Sequence, residues 1–176
     1  MNRCFVGLGT NLGDRLGLLR AAAEGLAATP GARRLAASGI WETHPLGPGS
    51  GPYLNAAVVL HYARGPEHLL ERLAALEDEL GRVRRTRWGD RRIDLDLLCA
   101  FDPRGVELVR ASERLSLPHP CVHERDFVLQ PLVDLDPELR VAGRRCAESL
   151  ARLGAAQRTL IGRLDAALLA STSAPE

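Results

Sequence analysis

Residues 53–82 read YLNAAVVLHYARGPEHLLERLAALEDELGR, and the order of elements inside this stretch decides the fold. YLNAAVVLHY (53–62) is apolar and partly β-branched, the composition of a well-buried strand. Pro66 then suits the first turn of a helix, and Leu69, Leu70, Leu73, Leu76 and Leu80 recur at helical spacing, which predicts a helix over 66–82. Upstream, 34–42 reads as a strand ending at Trp41 and Glu42. It is joined to 53–62 by THPLGPGSGP (43–52), a loop longer than a simple hairpin needs. Farther upstream, 3–9 reads as a strand, TNLGD supplies turn and cap residues, and 14–28 reads as a Leu/Ala-rich helix stopped by TPG at 29–31. Downstream, the basic loop RVRRTRWGDRR leads into IDLDLLCAF (93–101), a fourth strand.

The order is therefore βαββαβ. With right-handed crossovers and a central hairpin, it predicts an α+β fold with a ferredoxin-like core and a mainly antiparallel sheet. A small hairpin is expected near Gly105 and a short helix within 118–135. An amphipathic C-terminal helix is expected over 146–170, with Leu150, Leu153, Leu160, Leu164 and Leu168 on or near one face, followed by a frayed tail over 171–176. A chain of 176 residues is long enough for one domain with a sizeable core.

Composition narrows the function. The formal charge is +1, so no global basic field argues for bulk nucleic-acid binding. All 23 basic residues are Arg, so a single Arg says little and only clustering of Arg is informative. No apolar run approaches the length of a membrane span, and MNRCFVGLGT is too quickly interrupted for a signal peptide. Cys4, Cys99, Cys121 and Cys146 are scattered, with no C-x-x-C pair, which predicts reduced thiols in a cytoplasmic protein.

RWGDRRIDLDLL (87–98) holds the chemistry. Asp94 and Asp96 are two apart, so on a strand both point to one side while Leu95 and Leu97 point to the other. Two such carboxylates can converge on hard cations, which prefer oxygen ligands. A DxD pair in a strand is commonly no more than a solvent face; here the neighbours tip the balance. Arg82, Arg84, Arg85, Arg87, Arg91 and Arg92 precede it. Carboxylates that hold Mg²⁺, beside several guanidiniums, are what a polyphosphate needs. Gly89 and Trp88 suit a lid. Glu77 falls on the apolar face of its helix, where a carboxylate needs a partner. Tyr53 and Asn55 share one side of their strand, a ring beside an amide that suits a flat heterocycle. In HPCVH (119–123), His119 between two prolines reads as a positioned donor rather than a zinc ligand, and Arg125 and Phe127 follow. GLGTNLG (7–13) is a weak match to a dinucleotide fingerprint; a tight strand-to-helix turn is the better reading.

Together these pieces resemble the 6-hydroxymethyl-7,8-dihydropterin pyrophosphokinase family. GLGTNLGD, THPLGP, YLNAA, the E-x4-R-x-R run at 77–84, RWGDRRIDLDLL and LPHPCVHERDFVLQPL follow the family's order from residue 5 to about 139. The resemblance implies a three-layer α/β/α sandwich and transfer of pyrophosphate from ATP to the pterin hydroxymethyl group in folate biosynthesis, with AMP leaving. It implies that Asp94 and Asp96 hold two Mg²⁺ ions, and that Arg82, Arg84 and Arg91 contact the ATP phosphates. Trp88 then belongs to a loop closing over both substrates. Glu77, His119 and Arg125 match positions of the ATP site, and Leu97 and Ser116 match backbone positions near adenine and ribose. Tyr53 and Phe127 match the rings that sandwich the pterin, while Thr43, Pro45, Leu46 and Asn55 surround its polar edge. Asp90, Ala74 and Cys121 depart from the family pattern. ATP and a pterin are the implied partners of a protein expected to be a monomer, with neither nucleic acid nor membrane. A DxD nucleotidyltransferase releasing pyrophosphate is the rival enzyme reading. An RNA-binding ferredoxin-like module is the rival from another class, weakened by an aromatic content of only 4%.

Overall fold

The computed structural model describes residues 1–46, 51–81 and 92–169. Arg82, Arg84, Trp88, Asp90 and Arg91 lie outside the described residues. In chain order the elements are β1 (Asn2–Thr10), α1 (Arg15–Ala27), β2 (Ala32–Ala37), β3 (Trp41–Thr43), β4 (Tyr53–Tyr62), α2 (Pro66–Glu79) and β5 (Asp94–Phe101). Then come β6 (Arg110–Ala111), β7 (Ser116–Leu117), α3 (Asp126–Leu135), β8 (Arg140–Val141), β9 (Arg144–Arg145), α4 (Cys146–Arg152) and β10 (Leu160–Arg163).

The main sheet runs β10-β3-β4-β1-β5, with β2 also pairing with β4, and every pair in it is antiparallel. With β2 and β3 taken together as the second strand, the core order is fourth-first-third-second, that of a ferredoxin-like βαββαβ unit. The expected strand over 34–42 is in fact two pieces. At the break, Ser38 binds Ala57 twice: its N–H donates to the Ala57 carbonyl at 2.9 Å, and its Oγ accepts from the Ala57 N–H at 2.8 Å. A side chain thus takes over one ladder position, which short-range patterning does not reveal.

Helices cover both faces. Leu19 and Leu26 of α1 and Leu69 and Leu73 of α2 pack with Val6, Leu60 and Leu95 on one side. On the other, Leu129 and Leu132 of α3 and Cys146 of α4 pack with Phe5, Leu98 and Cys99. The register between β1 and β5 shifts opposite Phe5 and Val6, so Leu98 and Cys99 both serve the second core. Burial pushes the Cys4 and Cys146 thiols up to about 12, which keeps them as packing groups rather than nucleophiles. The GLGTNLG stretch is a strand-to-helix turn: Asp14 caps α1 by accepting from the Gly17 N–H at 3.0 Å, and Gly13 takes a φ of +68°.

The C-terminal helix over 146–170 is corrected. α4 ends at Arg152, Leu153 and Gly154 are extended, and the chain returns as β10 on the edge of β3. The leucines that suggested one stripe divide between two cores. Leu150 and Leu153 join the α3 side, whereas Leu164 and Leu168 join the α1/α2 side. Leucines at helical intervals do not make a helix when their burial partners lie on opposite faces of a sheet. Among the described residues, no helix is long and apolar enough to cross a membrane.

Candidate active site

Two glycines on the central strand make the floor. Gly9 stands between Asn55 on β4 and Asp94 on β5, and Gly7 between Ala57 and Asp96. Paired residues in antiparallel strands project to the same side, so these rows place Asn55, Asp94 and Asp96 on one face. Neighbouring strands lie about 4.8 Å apart, so the Asn55 and Asp94 backbones are about 10 Å apart with no side chain between them. The result is a trough with an amide at one end and two carboxylates at the other. A Cβ on Gly9 would meet the Asn55 Oδ1 at 3.1 Å, and one on Gly7 would meet Leu98 at 3.3 Å.

The walls rise from three places. Thr43, Pro45 and Leu46 come from the end of β3 and its following loop, Tyr53 from the start of β4, and His119, Arg125 and Phe127 from the segment entering α3. All of them line one cleft with Asp94 and Asp96. Thr43 and Asn55 are buried, and the Asn55 Nδ2 donates to the Thr43 Oγ at 2.8 Å, which orients the amide. The His119 N–H donates to the carbonyl of the bulge residue Leu98 at 2.8 Å, and its Nδ1 accepts from the Cys121 N–H at 3.2 Å. A neutral His119 therefore carries its proton on Nε2. The Arg125 guanidinium lies 5.8 Å from the centre of the Phe127 ring.

Three of the expected residues do not line this cleft. Glu77 is buried on the helix side of the sheet, where one oxygen accepts from the Leu95 N–H at 2.7 Å, between the two aspartates. The Leu97 side chain belongs to the α1/α2 core, and Ser116 is exposed on β7. Arg82, Arg84, Trp88 and Arg91 fall outside the described residues. Sequence reasoning missed Gly7, Gly9 and Leu98, which also line the cleft. The alternation of two glycines on a strand was the available signal. It also missed Arg15, whose guanidinium donates to Glu42 at 3.0 Å and to the Pro52 carbonyl at 2.8 Å, stapling both ends of the 43–52 loop. No local pattern marks that role.

The sequence model of the 7,8-dihydro-6-hydroxymethylpterin-pyrophosphokinase family matches residues 5–137. The chain belongs to this pyrophosphokinase family. Relatives named 2-amino-4-hydroxy-6-hydroxymethyldihydropteridine pyrophosphokinase include that of Methylorubrum extorquens, 45% identical over 154 residues, covering 87% of this chain and 94% of the relative. That of Pseudomonas aeruginosa is 39% identical over 153 residues, covering 86% and 91%. That of Mycobacterium tuberculosis is 37% identical over 159 residues, covering 87% and 82%. Among solved structures, wild-type Plasmodium falciparum HPPK-DHPS superposes with a TM-score of 0.63 at 14% identity, over 86% of this chain and 43% of that one. The chain thus spans less than half of that protein, and the likeness establishes the pyrophosphokinase fold. α4 and β10 lie beyond the region that the family model matches.

Proposed function

We propose that this chain transfers pyrophosphate from ATP to the hydroxymethyl oxygen of 6-hydroxymethyl-7,8-dihydropterin, a step of folate biosynthesis, as a cytoplasmic monomer. The observation that carries the reading is the single trough joining a ring-and-amide end to a carboxylate end across Gly7 and Gly9. Tyr53 and Phe127 would sandwich the pterin, and Thr43, Pro45, Leu46 and Asn55 would read its polar edge. Asp94 and Asp96, on a rigid strand and facing the cleft, fit hard cations whose other ligands are phosphate and water oxygens. Mg²⁺ held there, as two ions, would neutralise charge on the triphosphate.

His119 and Arg125 sit on the same wall as donors for phosphate oxygens. Arg82, Arg84, Trp88 and Arg91, with the backbone at Leu97 and Ser116, are proposed to complete the ATP site, Trp88 serving the pterin as well, while Glu77 supports that site from behind β5 through the Leu95 N–H. The pterin hydroxyl oxygen attacks the β-phosphorus as its proton passes to solvent, the bond from that phosphorus to the α-phosphate oxygen breaks, and AMP leaves. Positioning and charge stabilisation supply the rate, with no protein nucleophile.

Incubation with MgATP and the pterin alcohol is expected to yield AMP and the pterin diphosphate in equal amounts. Free pyrophosphate as the product would instead establish nucleotidyl transfer. Thr43→Val keeps the shape of the side chain and removes the partner of the Asn55 amide. It is expected to weaken pterin binding about tenfold, the worth of one buried hydrogen bond, and to leave the KM for ATP unchanged. Equal pterin affinity in wild type and variant, read by titration of the ligand's fluorescence, would remove Asn55 from pterin recognition.

A further inference from the structure

We propose that Asp126 is a positioning residue for the pterin end of the cleft, acting through Thr159 and Leu160 of the C-terminal segment; this rests on the reading of the cleft given above. Asp126 opens α3 and is only 1% exposed. One oxygen accepts from the Thr159 Oγ at 2.5 Å, and the other from the N–H groups of Thr159 and Leu160, the latter at 3.0 Å. A buried carboxylate with three donors from one dipeptide holds that dipeptide in one place.

The same dipeptide grips the opposite wall. The Thr159 carbonyl accepts from the His44 N–H at 2.8 Å, and β10 pairs Leu160 with Thr43, Gly162 with Glu42 and Arg163 with Trp41. β3 has only three residues, all paired with β4 on one side and held by β10 on the other. Arg125 and Phe127, on either side of Asp126, line one wall of the cleft, and Thr43, Pro45 and Leu46 line the other. Asp126 with residues 159–160 is thus a strap that sets the distance between the walls. The metal-facing strand β5 lies across β4 and β1 from β3 and takes no part in it. The far half of the strap lies beyond the region that the family model matches.

The strap predicts a split between substrates. Asp126→Asn and Thr159→Val should raise the KM for the pterin about tenfold and a few-fold respectively, with a smaller rise of about twofold in the KM for ATP, through Arg125 beside Asp126, and kcat within about twofold of wild type. Thr159→Ser, which keeps the hydroxyl, should restore pterin affinity. Hydrogen exchange at the His44 amide should quicken in Asp126→Asn, a readout that needs no turnover. An unchanged His44 amide, or equal rises in KM for both substrates, would overturn the strap. Absence of AMP from the wild-type enzyme, by contrast, would overturn only the functional reading. Thermal unfolding of each variant confirms that it is folded before its kinetics are read.

Discussion

Asp94→Asn or Asp96→Asn is expected to lower AMP formation by at least about a thousandfold, because metal-assisted charge stabilisation is worth several kcal/mol at about 1.4 kcal/mol per tenfold. The change is nearly isosteric; it removes the charge and turns one acceptor oxygen into an NH2 donor, which cannot ligate a cation. Both side chains sit on the cleft face of β5, partly exposed, while Leu95 and Leu97 on the other face anchor the strand in the core. The fold should therefore survive, with a melting temperature near that of wild type. The check is AMP release at rising Mg²⁺ concentration beside a thermal melt. A wild-type rate in either variant would refute the metal assignment. A large drop in melting temperature would mean that the carboxylates hold the strand rather than a cation.

The second large effect is at Glu77. Its carboxylate lies at 3% exposure under the start of β5 and accepts from the Leu95 N–H at 2.7 Å. Glu77→Ala leaves that N–H without this acceptor and opens space beside α2. Together these should cost about 2–4 kcal/mol, or a fall of about 5–15 °C in melting temperature for a chain of this size. Turnover should fall as well, because Leu95 sits between the two aspartates. Glu77→Gln keeps an oxygen acceptor in place and should recover most of the stability. An alanine variant as stable as wild type would show that β5 needs no support from α2 at this point.

Much of the fold was legible because its signals are local. The apolar run 53–62 and the leucine spacing after Pro66 became β4 and α2 almost to the residue, the helix ending three residues early. The site was legible in part for the same reason: Tyr53 with Asn55, and Asp94 with Asp96, are neighbours on single strands. What escaped was whatever depends on a partner distant in sequence. The 34–42 strand breaks because Ser38 meets Ala57, and the trough exists because Gly7 and Gly9 lie between two strands that carry the polar groups.

The amino-acid sequence by itself determined the order of the core elements, the side on which each pair of polar residues projects, and the family to which the chain belongs. Periodicity and motif spacing are properties of one segment at a time. Only the tertiary structure decided that Glu77 supports β5 from the helix side, that Arg15 staples the loop, and that residues 160–163 form a strand whose entry, Thr159 and Leu160, is bound by Asp126. Each of those outcomes depends on which buried polar group finds which partner across the chain. A leucine pattern cannot state which of two cores will receive it.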